Sequence, residues 1–151
     1  MNVREAGSQD AIELARLLSE FDEDSTNQRS AGSMESFLGH ENGEVVLVAE
    51  LENRLVGFAT IQITDSVCYT RPTAEITGIF VSAEERRTRL GTELIKSAIR
   101  KAEEANVLEV FLRVNTENPE AIQFYESCGL EKANHVEYRI IYYGSRQRAD
   151  A

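Results

Sequence analysis

Apolar residues recur along the chain in two spacings, and the switches between them mark its elements. "NVREA" alternates as a short strand does. Beyond Ser8, which can cap a helix, Ile12, Leu14, Ala15, Leu17, Leu18 and Phe21 share one helical face. The polar run "FDEDSTNQRSAGS" breaks that pattern and predicts a loop, followed by a short helix around Met34–Leu38. "EVVLVAEL" and "RLVGFATIQIT" are rich in β-branched residues and are joined through "ENR", which predicts a hairpin. "TAEITGIFV" is a further strand. Helical spacing then returns, with Leu90, Leu94, Ile95, Ala98, Ile99 and Ala102 on one face and Glu93, Lys96, Arg100 and Lys101 opposite. "VLEVFLRV" reads as a strand. "NPEAIQFYESCG" reads as a helix capped by Asn118, with Pro119 in its first turn and Gly129 as its stop. "VEYRIIYY" closes the pattern as a last strand.

The strand–helix–strand passage from 74 to 114 calls for a parallel crossover, whereas the hairpin before it is antiparallel. The expected class is α/β (α+β): a mixed, mostly antiparallel central sheet of about six or seven strands flanked by about four helices. A chain of 151 residues is of a size for one domain. Residues 1–144 are assigned to it, and 145–151 are expected to fray.

Composition narrows the choice of ligand. No run of 18 apolar residues encodes a membrane span. The N-terminus lacks the apolar stretch of a signal peptide, so a cytoplasmic location is expected. Cys68 and Cys128 make no disulfide framework, and with two distant histidines they make no metal pattern. A net charge of −10 and a pI near 4.7 disfavour a nucleic-acid binder. The charge is also uneven: residues 1–60 carry twelve acids against four arginines, which suits a cationic ligand or, for most of those acids, a solubilising surface. Against that background "AEERRTRLGTEL" crowds Arg86, Arg87 and Arg89 into four positions at the mouth of a helix. A helix N-terminus presents unpaired N–H groups and the positive end of a dipole, so arginines placed there suit a phosphate.

"IFVSAEERRTRLGTELI" followed by "FLRVNTENPEAIQFYESCGL" resembles the two core motifs of the GNAT superfamily of N-acetyltransferases. The likeness covers roughly residues 74–131 and is looser in the N-terminal strand and hairpin. In that family a strand ending in valine leads into an R/Q-x-x-G-x-G/A turn, which opens a long helix and binds acetyl-CoA. The turn here is Arg86-Arg87-Thr88-Arg89-Leu90-Gly91, with Thr92 next, and Arg89 stands where the family has its first glycine. That position is expected to be helical and to point its side chain outward. The second motif falls on Asn118, Ala121, Tyr125 and Gly129-Leu130.

The resemblance implies acetyl-CoA as co-substrate, no metal, and transfer of an acetyl group to a primary amine by direct attack in a ternary complex. It implies that Tyr125 protonates the departing thiolate, and that the Ile79–Val81 backbone, Phe80 included, pairs with the pantetheine. Asn118 can contact the cofactor, although helix capping alone explains its identity. Glu75 is the candidate base. It alternates with Thr77, Ile79 and Val81, so all four are expected on one sheet face, and a carboxyl among apolar neighbours suits proton abstraction. Some family members carry a glutamate six residues before the valine and others do not; a strand-end glutamate in solvent is the alternative. His135 and His40 are weaker base candidates, and Cys128 has no flanking histidine to make it a nucleophile. The acid excess points to a small cationic amine as acceptor. A protein amine, a non-catalytic acetyl-CoA-binding module on the same fold, and a homodimer are left open.

Overall fold

The computed structural model describes residues 1–22, 28–143 and 147–148. Five strands form one sheet in chain order: β1 (Asn2–Glu5), β2 (Glu44–Leu51), β3 (Arg54–Thr64), β4 (Thr73–Val81) and β5 (Val110–Leu112). Each of the first four is antiparallel to its neighbour, and β5 joins β4 in parallel. Helices α1 (Ala11–Phe21) and α2 (Ala31–Leu38) cover one face of the sheet; α3 (Leu90–Glu104) and α4 (Pro119–Ser127) pack on the other.

The central strands bury both faces, which is why they read as nearly continuous apolar runs. In β2, Leu47 and Ala49 join the core under α3, while Val46 and Val48 join Leu14, Leu17, Met34 and Phe58 under α1 and α2. The β2–β3 turn holds Glu52 and Asn53 at φ 50° and 62°, the paired positive values of a type I′ hairpin.

The fold class is as expected, but the strand count is lower. β5 is three residues long instead of spanning "VLEVFLRV". Of the expected last strand only Tyr142–Tyr143 (β6) is extended, and it pairs with Gln147–Arg148 (β7) outside the main sheet. Val136, Tyr138 and Ile140 are 77%, 91% and 69% exposed. Alternation arranges side chains, but a strand also needs a backbone partner, and 136–141 has none in the sheet. The remainder of the expected tail, 145–146 and 149–151, lies outside the described residues, as does 23–27 of the polar loop.

Ser8 is not the helix cap. It opens a short 3-10 turn, Ser8–Asp10, and α1 follows from Ala11. Asp10 organises this corner: its buried carboxylate accepts from the Gly7 N–H at 2.8 Å and from both terminal nitrogens of Arg4 at 2.8 and 2.9 Å. The Arg4 hydrogen bonds hold the Asp10 carboxyl below its usual range against the opposing effect of burial, and the Arg4 guanidinium is raised in turn. Removing the Asp10 charge loses its charge-assisted hydrogen bonds from Arg4, which keeps Glu50 at 3.0 Å as its other partner. Asp10→Asn is expected to cost about 2–3 kcal/mol at neutral pH. Because the folded pKa is depressed, this contribution is fully present above the unfolded aspartate value of about 4 and is lost as pH falls through the folded value. Urea unfolding of both forms should therefore show a gap at pH 7 that narrows in acid.

Candidate active site

The pairing of β4 with β5 stops early. Ala74, Glu75 and Ile76 face Val110, Phe111 and Leu112, and beyond Ile76 the β5-facing edge of β4 has no strand partner among the described residues. On its other side β4 pairs with β3 down to Gly57–Val81, but the register shifts between Thr60–Gly78 and Ile61–Ile76. Thr77 is the extra residue of a β-bulge, and one extra residue reverses the alternation.

Ala74 and Ile76 therefore share the α3 core with Ile79 and Val81, while Phe80 turns to the opposite side with Phe21 and Phe58. The expectation that Glu75, Thr77, Ile79 and Val81 share a face is corrected by this bulge. Glu75, opposite Gln62, lies on the face of α1 and α2, away from Ile79 and Val81. Along 79–81 the side chains are engaged on the two faces, so the open edge offers a ligand its backbone.

That edge leads through Ser82 into the arginine turn and α3. The first helical bond of α3 is from the Glu93 N–H to the Arg89 carbonyl at 3.0 Å, and no side chain caps the helix. The N–H groups of Leu90, Gly91 and Thr92 thus point out of its end without intrahelical acceptors. Arg86 folds back: its Nε donates to the Val81 carbonyl at 3.1 Å, and its guanidinium lies 5.6 Å from the Phe80 ring centre. The Thr88 hydroxyl donates to the Glu85 carbonyl and ties the turn together. Among the described residues none of Arg86, Arg87 and Arg89 forms an ion pair, and Glu84 pairs with Arg54 at 3.5 Å instead. The basic cluster is not consumed by its neighbouring acids.

Arg89 departs from expectation. It is the cap residue in the left-handed region at φ 70°, and Arg87 lies there too at φ 67°. A side chain at such a position costs about 1–2 kcal/mol, and glycine returns about half of that as chain entropy. Arg89→Gly is therefore expected to stabilise the protein by up to about 1 kcal/mol in urea unfolding. Gly91 has a packing reason beyond the turn. A Cβ there would meet the Phe124 ring at 3.2 Å, so this glycine lets α3 and α4 approach, and Leu90 beside it is buried.

Phe124 and Tyr125 sit side by side on α4, ring centroids 5.3 Å apart, both packed against the α3 core. The helix is held at each end by its own sequence. The Asn118 side chain accepts from the Ala121 N–H at 3.1 Å, with Pro119 following. At the other end Gly129 takes φ 93°, the Leu130 N–H reaches the Tyr125 carbonyl at 3.2 Å, and the Gly129 N–H reaches Glu126 at 3.0 Å. This Schellman closure fixes the backbone of Tyr125 itself. The Tyr125 hydroxyl has no hydrogen-bond partner among the described residues. Burial, with Cys128 nearby, raises its pKa, so the phenol keeps its proton at neutral pH.

Glu75 is partnered. Arg113 donates from Nε to its carboxylate at 3.2 Å and from Nη1 to Glu137 at 2.9 Å, which raises the arginine's pKa, Glu137 first. The apolar surroundings expected for this carboxyl are replaced by a guanidinium. His135 and His40 are exposed, and His40 lies 2.6 Å from the Ser36 carbonyl.

A cavity of about 320 Å³ opens between α1, α2 and the sheet, walled by Leu14, Leu18, Phe21, Met34 and Phe58, and it reaches the bulge at Thr77 and Gly78. Glu44, at the start of β2, lines it, and Thr77 donates to Glu44 Oε1 at 3.1 Å while lying 2.6 Å from the Thr60 hydroxyl. The sequence placed Thr77 only by its alternation with Glu75 and pointed to neither Glu44 nor Thr60, since only the tertiary pairing of three strands brings them together. Among the described residues no group of three or more His, Cys, Asp or Glu is placed to hold a metal, and no helix is long and apolar enough to cross a membrane.

A mixed sheet that opens beside a strand bulge, with a helix N-terminus at the end of the opened edge, defines the acyl-CoA N-acyltransferase fold. The pattern of the acetyltransferase (GNAT) family matches residues 12–130, and the chain belongs to that family. The family is one of acetyltransferases whose co-substrate is acetyl-CoA. An uncharacterized N-acetyltransferase of Methanocaldococcus jannaschii is 37% identical over 90 residues; the match spans 59% of this chain and 40% of that relative. In fold, the chain is similar to an aminoglycoside acetyltransferase from an uncultured soil metagenomic sample, in complex with sisomicin. The TM-score is 0.81 at 23% identity, with 96% of each chain covered. It is likewise similar in fold to a ribosomal-protein-alanine N-acetyltransferase from Brucella melitensis biovar Abortus 2308. There the TM-score is 0.79 at 20% identity, covering 94% of this chain and 100% of the other.

Proposed function

We propose that this chain is an acetyl-CoA-dependent N-acetyltransferase acting on a small cationic primary amine by direct attack in a ternary complex. The observation that carries this reading is the continuity of the open β4 edge, the unpaired arginines and the uncapped start of α3. Together they form a strip of backbone hydrogen-bonding groups that ends at a basic helix N-terminus, the kind of place that suits a phosphate.

On this reading Arg86, Arg87, Thr88, Arg89 and the N–H groups of Leu90, Gly91 and Thr92 hold the pyrophosphate. Backbone groups of Ile79, Phe80 and Val81 hold the pantetheine arm and direct an N–H at the reacting carbonyl, the kind of donor that contributes strongly in acyl transfer. Bound acetyl-CoA supplies an electrophilic acetyl carbon and a thiol leaving group. Tyr125 holds a proton for the departing sulfur, and burial keeps that proton in place. Asn118 positions α4, and its remaining amide hydrogens are available to the cofactor. The cavity at the bulge receives the acceptor; its size favours a small molecule over a protein amine, and the soil aminoglycoside acetyltransferase offers a precedent for a small-molecule acceptor.

The test is thiol release from acetyl-CoA across a panel of primary amines, with the acetylated product identified by mass. Amine-dependent release supports the reading. Cofactor binding without turnover for any amine would replace it with a non-catalytic binding module.

A further inference from the structure

We infer that Glu44 is the carboxylate that binds the acceptor's ammonium and takes its proton, for an amine carried on an apolar body. This rests on the acetyltransferase reading above and concerns the acceptor half of the same site.

Two carboxylates lie on this face of the sheet near the bulge, and they differ in what surrounds them. Glu75 is paired with Arg113, which also binds Glu137, and it does not line the cavity. A cation brought to Glu75 would have to displace a guanidinium or share its carboxylate. Glu44 lines the cavity and has no ion pair among the described residues.

The hydroxyl chain beside Glu44 has only one polarity. An ionised carboxylate can only accept, so Thr77 must donate to Glu44 Oε1 at 3.1 Å. Thr77 has then used its hydrogen, so the 2.6 Å contact with Thr60 is filled by the Thr60 hydrogen. The chain runs from Thr60 through Thr77 to Glu44 and orients one carboxylate oxygen, leaving Oε2 for a ligand. Thr77 is the bulge residue, at the point where β4 parts from β5. The chain therefore forms part of the cavity wall, and its Thr77 end lies on the strand whose open edge is assigned to the thioester.

The rest of the wall decides the acceptor class. Leu14, Leu18, Phe21, Met34 and Phe58 make much of the wall apolar, Gln28 spends its amide hydrogens on the Leu18 and Asp22 carbonyls, and the volume is at the lower end of small-molecule sites. Among the described residues Asp22 and Arg29 are the other charged groups lining the cavity; Arg29 is stacked 4.2 Å from the Phe37 ring and bonded to Ser33. The fit is a primary ammonium on an alkyl or aralkyl body. In the proton step the R–NH₃⁺ nitrogen keeps the electron pair of one N–H bond. The hydrogen passes to Glu44 as a carboxylic acid, leaving R–NH₂ to attack, and Glu44 later returns the proton to solvent.

The test uses the full chain with 2-phenylethylamine and n-hexylamine, and kanamycin as the polyhydroxylated comparison. Glu44→Gln is expected to lower kcat/KM for the first two by roughly 10²-fold and to remove the acid limb of the pH profile. Glu75→Gln should retain that limb. Calorimetric binding of 2-phenylethylamine to the cofactor-free protein should weaken at least tenfold in Glu44→Gln. Thr77, as a positioning residue, should lose rate as Thr77→Val and regain it as Thr77→Ser, with thermal melts confirming that each variant folds. An unchanged rate and pH profile in Glu44→Gln, loss of the limb in Glu75→Gln instead, or a preference for kanamycin would overturn the inference. If no amine releases thiol, the acetyltransferase reading fails separately. Glu44 is then judged by binding alone, and equal amine binding by wild type and Glu44→Gln overturns it.

Discussion

Tyr125→Phe is expected to lower kcat for thiol release by roughly 10²–10⁴-fold, the usual contribution of a positioned proton donor. Folding should be nearly unaffected. The ring packs against the α3 core while the hydroxyl has no partner among the described residues, so removing one oxygen strands no buried group. The half-buried phenol has a raised pKa and stays a donor well above neutrality. The measurement is pre-steady-state and steady-state thiol release, with melting temperature as the control. A loss in kcat with KM for the amine unchanged identifies a group acting on the leaving sulfur. A loss confined to KM, or no loss, would return Tyr125 to the role of packing partner for Phe124.

Phe58→Ala should have the largest effect on stability, about 3–5 kcal/mol, the range for deleting a buried aromatic ring. Phe58 is 1% exposed and meets Phe21 edge-on, centroids 5.5 Å apart, with Phe80 at 6.1 Å. The space beyond it is the cavity between α1, α2 and the sheet, so the volume it leaves adjoins open space. For a chain of this length the change corresponds to a fall in Tm of about 6–20 °C. The enlarged cavity should also bind small amines less tightly. A calorimetric melt together with the KM for n-hexylamine reads both consequences. A drop of less than about 1 kcal/mol would mean that α1 collapses onto the sheet and that the cavity is not held open by this ring.

Local signals were legible in the sequence. Asn118, Pro119 and Gly129 act within one helical turn of themselves, and each does what its chemistry suggests. The arginine cluster and the amphipathic α3 were equally readable, because apolar spacing reports burial directly. What escaped depends on pairing between distant residues. The bulge at Thr77 leaves no mark in composition, yet it separates Glu75 from Ile79 and Val81. Glu75 meets Arg113 across 38 positions, and Thr77 meets Glu44 across 33. No periodicity encodes such a contact. The positive φ of Arg89 was missed for a related reason: the turn's geometry is imposed by the strand and helix it joins, and the side chain tolerates it at a cost.

The extra residue in β4 also makes the strand modular. Its first half is registered by β5 and β3 together, its second half by β3 alone, and the change of parity falls between them. Gain or loss of one residue at this point exchanges the class of side chain turned toward the acceptor. The helix, the cradle and the Ile79–Val81 edge stay where the α3 core holds them. Acceptor choice and cofactor binding can therefore diverge independently in this scaffold, along a single strand and by a change of one position in length.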